Sequence, residues 1–228
     1  MTEMAAFREA VTAWAAGGPG DLARERAAGL AVRTVVLVEG PSDLAAVEAL
    51  AERRGRDLEA EGVCVLAMNG AMSVGRFARL LGPGGLGLRL TGLCDEAERG
   101  YYARALGPGG PESPESPESP ESPESPESPD VNGARRQRFF VCSADLEDEL
   151  IRALGVSRVE ELVRAEGDLR ALRTFVRQPA QHGRSPHRQL RRFLGTKKGR
   201  KIRYGRVLVE ALTPDRVPAP LDDLLADL

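Results

Sequence analysis

The sequence predicts an α/β fold: a mostly parallel, four-stranded sheet flanked by helices, with a helical and basic C-terminal extension. Short runs rich in Val and Leu alternate with stretches of helical periodicity, which is typical of βαβ crossovers. The apolar runs show little polar alternation, as expected for strands that are covered on both faces. The 228-residue chain is 42% hydrophobic, so it has enough apolar side chains to form such a core.

Each predicted strand is followed by a predicted helix. Pro218 and Pro220 introduce a short last helix. The expected elements are helices 4–15 and 20–30, strand 33–38, helix 43–54, strand 63–68, helix 72–81, strand 86–94, helix 96–106, strand 138–142, helix 146–154, and mostly helix beyond residue 154 with a break near 179–186.

This pattern divides the chain into three parts. Residues 1–32 are a helical lead-in, 33–155 an α/β domain, and 156–228 a helical, basic extension. Six Pro-Glu-Ser units at 111–128 interrupt the α/β domain. Because proline at every third position excludes helix and central strand, we expect disorder over 107–134. The repeat is interpreted as a loop expansion, with a docking or regulatory segment as the alternative.

The net charge of −2 conceals an uneven distribution. Residues 169–209 contain thirteen Lys or Arg and no Asp or Glu. So many like charges favour contact with a polyanion such as nucleic acid, and a solvated helix face is the alternative. The residues expected to bind nucleic acid are Arg188, Arg191, Arg192, Lys197, Lys198, Arg200, Arg203 and Arg206.

Several function classes are disfavoured. No apolar run approaches the roughly 20 residues of a membrane span, and the N-terminus lacks a secretory signal pattern, so we expect a cytoplasmic protein without a membrane partner. Cys64, Cys94 and Cys142 match no zinc-binding spacing and are expected to be core thiols. His182 and His187 lie in a segment rich in Pro and Arg, which disfavours serine–histidine hydrolysis.

Acidic residues follow three of the four predicted strands. Glu39 comes directly after the first, Asp95 after the third, and an acidic segment starting at Asp145 after the fourth. The carboxyl ends of parallel strands meet at one edge of the sheet, where carboxylates repel unless a cation neutralises them. Oxygen ligands favour Mg²⁺ or Mn²⁺. For Asp145, Asp148 and Glu149, capping of a helix start is the alternative.

Two of these acidic segments resemble a known family. Residues 38–43 (Val-Glu-Gly-Pro-Ser-Asp) resemble the first motif of the Toprim domain, which is shared by topoisomerases, bacterial primases, recombination mediators and overcoming-lysogenization-defect (OLD) nucleases. The second Toprim motif, Asp-x-Asp-x-x-Gly, is similar to residues 95–100. Asp95 and Gly100 match that motif, whereas Ala97 replaces its second aspartate.

The rest of the chain is most similar to the Toprim half of OLD nucleases. Their acidic segment after the fourth strand resembles residues 145–150, with Glu147 as the aligned carboxylate. Their late lysine-bearing helix resembles residues 201–205, with Lys201 as the aligned lysine and Lys197 or Lys198 as alternatives.

The resemblance implies a Toprim-like fold and metal-dependent hydrolysis of nucleic acid by a two-metal mechanism, with two Mg²⁺ or Mn²⁺ ions as cofactors. It implies DNA as substrate, with RNA not excluded. No phosphate-binding G-x-x-x-x-G-K-[ST] motif occurs, so an ATPase would act in trans as a partner. The alternative is a degenerate, non-catalytic Toprim module that binds nucleic acid or a partner ATPase, which Ala97 favours. The implied catalytic residues are Glu39 and Lys201, and the implied metal ligands are Glu39, Asp43, Asp95, Glu98 and Glu147.

Overall fold

The structure, a computed structural model, describes residues 2–107 and 138–228. These residues form a parallel four-stranded sheet in the order β2-β1-β3-β4. The predicted fold class is confirmed. The strands are β1 (Thr34–Val38), β2 (Val63–Ala67), β3 (Arg89–Asp95) and β4 (Arg138–Cys142).

Helices cover both faces of this sheet, and the bounds of most lie within three residues of the prediction. In the described residues they are α1 (Glu3–Ala15), α2 (Asp21–Gly29), α3 (Pro41–Arg53), α4 (Val74–Leu81), α5 (Arg99–Leu106), α6 (Leu146–Leu154), α7 (Val156–Ala165), α8 (Leu169–Val176), α9 (Pro186–Leu194), α10 (Lys198–Glu210) and α11 (Ala219–Asp227).

Two of the boundary differences have local causes. Helix α3 begins at Pro41, two residues early, because Asp43 Oδ2 accepts the Gly40 N–H at 2.9 Å and Pro41 supplies the first helical φ. Strand β3 begins at Arg89, three residues late, because 82–88 form a turn in which Leu86 and Leu88 donate to the end of α4.

Alternate residues of β1 enter two different cores. Val36 and Val38 pack with the layer that contains α3, α6 and α10. Val35 and Leu37 pack with the layer that contains α1, α4 and α5. All five β1 residues are buried, which explains why the strand reads as a continuous apolar run.

The C-terminal helices pack back against the sheet layer. Helix α10 lies along α3, and at Gly205 the two backbones come so close that an added Cβ would lie 2.4 Å from Ser42 O. Helix α11 is joined to β3 by an ion pair between Asp227 and Arg89 at 2.6 Å. Residues of α8 to α11 therefore share a core with the sheet, and the predicted boundaries at 32/33 and 155/156 stay a prediction.

Two further expectations concern the Pro-Glu-Ser repeat and membrane spans. The Pro-Glu-Ser repeat at 111–128 lies outside the described residues. None of the helices that the structure describes is both long and apolar enough to cross a lipid bilayer.

Candidate metal centre

Three carboxylates meet at the carboxyl edge of the sheet. Glu39 follows β1, Asp95 ends the neighbouring strand β3, and Glu98 lies in the 3₁₀ turn Glu96–Glu98 that follows. One oxygen from each of the three lies within 4.8 Å of the others. All three side chains are partly buried. The structure therefore places three of the five metal ligands expected from the sequence close together.

Glu98 directly follows Ala97, the residue that replaces the second aspartate of the Toprim motif. Ala97 is exposed, whereas the next residue, Glu98, points its carboxylate into the cluster. Glu98 Oε2 is buried and has no hydrogen-bond partner among the described residues. A buried carboxylate oxygen without a donor is costly, and a cation is the partner that its charge favours.

Burial and mutual repulsion raise the pKa values of this cluster. Burial, together with repulsion from Asp145 and Asp43, raises the pKa of Asp95 to about 8. Burial and the charge of Glu39 raise the pKa of Glu98 to about 7. The carboxylates of the three strand ends therefore interact, and either protons or a cation must relieve the repulsion.

Asp43 and Glu147, the other two expected ligands, lie outside this group of three. Asp43 uses one oxygen to accept the Gly40 N–H, and its pKa is raised mainly by burial. Glu147, in the first turn of α6, is buried and lies 3.3 Å from Lys201 Nζ. Burial raises the pKa of Glu147 to about 7, although Lys201 opposes that shift.

Lys201 is the lysine that α10 places at the site. Its Nζ contacts Glu147 while 41% of its side chain remains exposed. Lys197 and Lys198, the alternatives considered from the sequence, are exposed and have no acidic partner within the described residues. Gly205 lies one turn after Lys201 and allows α10 to approach the start of α3.

The acidic residues at the start of α6 make local contacts within the protein. Asp145 Oδ1 accepts the Asp148 N–H at 2.7 Å and caps the helix. Asp148 Oδ1 lies 2.7 Å from His187 Nε2. Glu149 Oε1 accepts the Ser143 N–H at 2.9 Å. The capping alternative therefore fits Asp145, whereas Asp148 contacts α9 and Glu149 contacts the segment before the helix.

Acids outside the basic segment neutralise half of the basic residues expected to bind nucleic acid. Arg191 pairs with Asp145, Arg200 and Arg203 pair with Asp168, and Arg206 pairs with Glu52 and Glu210. Counting charges along 169–209 missed these partners because Asp168 and Glu210 lie just outside that segment and Asp145 and Glu52 lie farther away in sequence. Arg188, Arg192, Lys197 and Lys198 are exposed and make no ion pair with any residue that the structure describes.

Comparison with protein-family models finds a match over part of the α/β core. Residues 31–96 match the model of the overcoming lysogenization defect protein-like TOPRIM domain. The resemblance to OLD-type Toprim domains is confirmed. The matched Toprim segment includes Glu39, Asp43 and Asp95, and Glu98 lies two residues beyond it.

Solved structures extend the Toprim-like fold over most of the chain. The C-terminal region of the Burkholderia pseudomallei OLD protein is 20% identical, with a TM-score of 0.54, and the match covers 86% of this chain and 96% of that one. The C-terminal region of the Xanthomonas campestris pv. campestris OLD protein is 23% identical, with a TM-score of 0.55, over 86% of this chain and 94% of that one. The comparison with curated proteins finds no match.

Proposed function

We propose that this protein is a metal-dependent nuclease that hydrolyses phosphodiester bonds of DNA. The observation that carries the proposal is the position of Glu98, which supplies a third carboxylate beside Glu39 and Asp95 although Ala97 stands in the usual motif position. The OLD-like Toprim match supports a nucleic-acid-related reaction of this class. A cytoplasmic location is part of the same proposal.

The residues present suit a hard divalent cation. Three carboxylates offer oxygen atoms within 4.8 Å of one another, and one buried oxygen of Glu98 has no hydrogen-bond donor among the described residues. Glu39, Asp95 and Glu98 would hold one Mg²⁺ or Mn²⁺, and Glu147 with Asp43 would hold a second. When bound, such ions orient the phosphate and lower the pKa of water.

The protein's own groups would perform the remaining steps. Glu39 would accept the proton of the attacking water through a carboxylate oxygen. The Lys201 ammonium, held by Glu147 and partly exposed, would neutralise charge that develops on the phosphate. Flanking phosphates would be bound by Arg188, Arg192, Lys197 and Lys198.

A second candidate function is a non-catalytic Toprim module that binds nucleic acid or an ATPase supplied in trans. The replacement of the motif aspartate by Ala97 favours it, because one carboxylate is absent from its usual position. The two candidates differ in one measurable property, which is metal-dependent strand cleavage.

Cleavage of plasmid DNA and of RNA, with Mg²⁺, Mn²⁺ or EDTA, tests the proposal. We expect the wild type to cleave with either metal and Glu39→Gln to lose at least about 100-fold in rate, because it removes both a ligand and the proton acceptor. Glu96→Gln is the matched control, since Glu96 is exposed, lies outside the cluster and should cleave like wild type. A wild type that binds but cleaves neither substrate would favour the second candidate.

A further inference from the structure

A basic groove of about 590 Å³ lies between α8 and the segment that joins α9 to α10. Its charged lining residues are Arg170, Lys197 and Arg200, and no acidic residue lines it within the described part of the chain. Phe175 and Phe193 also line it, with ring centroids 5.7 Å apart. The volume lies in the range of ligand-binding pockets, and the lining combines positive charge with aromatic rings.

One wall of the groove contains a buried contact between Arg200 and Phe193. The Arg200 guanidinium lies 4.0 Å from the centroid of the Phe193 ring. Arg200 is only 9% exposed, and it is held by Thr196 Oγ1 at 2.6 Å and by an ion pair with Asp168. Its Nε lies 3.4 Å from Asp168 Oδ2. The partly exposed Phe175 lies beside this contact, and aromatic rings are surfaces on which nucleic-acid bases stack.

The groove lies next to the candidate metal centre along α10. Lys201 N–H donates to Lys197 O at 2.9 Å, so the two lysines are one helical turn apart and share a helix side. Lys197 lines the groove, whereas Lys201 contacts Glu147 beside the metal centre. The rise between them is about 6 Å, so adjacent nucleotides of one strand can occupy the two positions.

We propose that this groove binds one nucleotide of a single-stranded segment next to the bond that is cleaved. Its base packs against Phe175 and its phosphate is bound by Arg170 and Lys197. The inference that the bound strand is the one being cleaved rests on the proposed nuclease function. The groove adds the inference that the nucleotide next to the cleaved bond is unpaired. A paired base in a duplex is stacked on its neighbours and has no free face to offer.

Fluorescence anisotropy of a labelled 15-nucleotide oligothymidylate, in EDTA, tests the groove directly. A blunt DNA duplex of the same length and a 15-nucleotide oligouridylate are the comparison probes. The variants are Phe175→Leu, Phe175→Tyr, Arg170→Ala and Lys197→Ala. Arg164→Ala is the matched control, because Arg164 is an exposed arginine on α7 that does not line the groove. Thermal melting verifies that each variant is folded.

We expect Phe175→Leu to bind the single strands about fivefold or more weakly and the duplex as wild type does, because only an unpaired base has a free face to pack against Phe175. Phe175→Tyr keeps the ring and should bind like wild type. A double variant that carries both Arg170→Ala and Lys197→Ala should show a less steep decrease of log affinity for single strands with log salt. The slope should change by about 1.4, at about 0.7 per lost phosphate contact. Arg164→Ala should change neither quantity.

The inference is overturned if the groove variants bind single strands as tightly as wild type, if Phe175→Leu weakens duplex binding equally, or if the wild type binds no single strand. Failure of the nuclease proposal gives a different result. In that case the wild type does not cleave with any metal, yet its binding to single strands still depends on Phe175.

Discussion

The carboxylate of Glu98 is the group whose environment most favours a cation. Its Oε2 is buried and has no hydrogen-bond partner in the described residues, and Glu39 and Asp95 lie beside it. A carboxylate in that position is destabilised in its charged form, as its raised pKa of about 7 indicates. A divalent cation would replace the missing donor and screen the repulsion at the same time.

Glu98→Gln should therefore weaken cation binding while leaving the apo fold intact or slightly more stable. We expect the Mg²⁺ concentration for half-maximal thermal stabilisation to rise about tenfold, equivalent to about 1.4 kcal/mol, because one charged ligand is lost. Melting temperatures across a Mg²⁺ titration measure this. Glu96→Gln should titrate like wild type, and an unchanged midpoint in Glu98→Gln would contradict a ligand role for Glu98.

At the scale of single elements, helix α10 sets the position of Lys201. The helix lies against the start of α3 at Gly205, where an added Cβ would be 2.4 Å from Ser42 O. The neighbouring Gly199, in the first turn of the same helix, has no atom within 4 Å of such a Cβ. The two glycines thus provide an internal comparison between a crowded and an open position.

Gly205→Ala should destabilise the protein by about 1 to 3 kcal/mol, because the added methyl forces α10 away from α3. Gly199→Ala should be neutral or stabilising by up to about 1 kcal/mol, because alanine favours helix. Urea unfolding measures both free energies. If the two substitutions had the same effect on stability, the close contact at Gly205 would not be what holds α10 in place.

At the scale of the whole molecule, the sequence predicted the sheet and its acidic edge because both depend on local patterns. Continuous apolar runs mark the strands, and Glu39 and Asp95 directly follow or end two of them. Two other features are contacts between residues that are distant in sequence, so local sequence patterns could not predict them. Arg206 of α10 pairs with Glu52 of α3, and Gly205 of α10 lies against Ser42 O of α3.

The same acidic edge predicts how stability depends on pH when no metal is present. The pKa of Asp95 is raised to about 8 in the folded protein from an ordinary value of 3.8. The folded state therefore holds a proton that the unfolded state has released, so stability falls as pH rises between those two values. We expect the free energy of unfolding in EDTA to fall by about 1 to 2 kcal/mol from pH 6 to pH 8.

Urea unfolding at both pH values measures this difference. Asp95→Asn should reduce the difference because it removes the titrating charge, and millimolar Mg²⁺ should also reduce it because the cation replaces the proton. A stability that rises between pH 6 and pH 8 in EDTA would show that other groups dominate the acidic edge.

The spacing of Lys197, Lys201 and Gly205 along α10 has a consequence for how this sequence can vary. The three residues are four positions apart, so they lie along one side of the helix, at the groove, the metal centre and the α3 contact respectively. Substitutions on the opposite side leave that alignment unchanged. Inserting or deleting one residue between Lys201 and Gly205 would rotate the lysine by about 100° relative to the α3 contact. Related chains that keep this site should therefore tolerate many exchanges in α10 but no change in its length between these two positions.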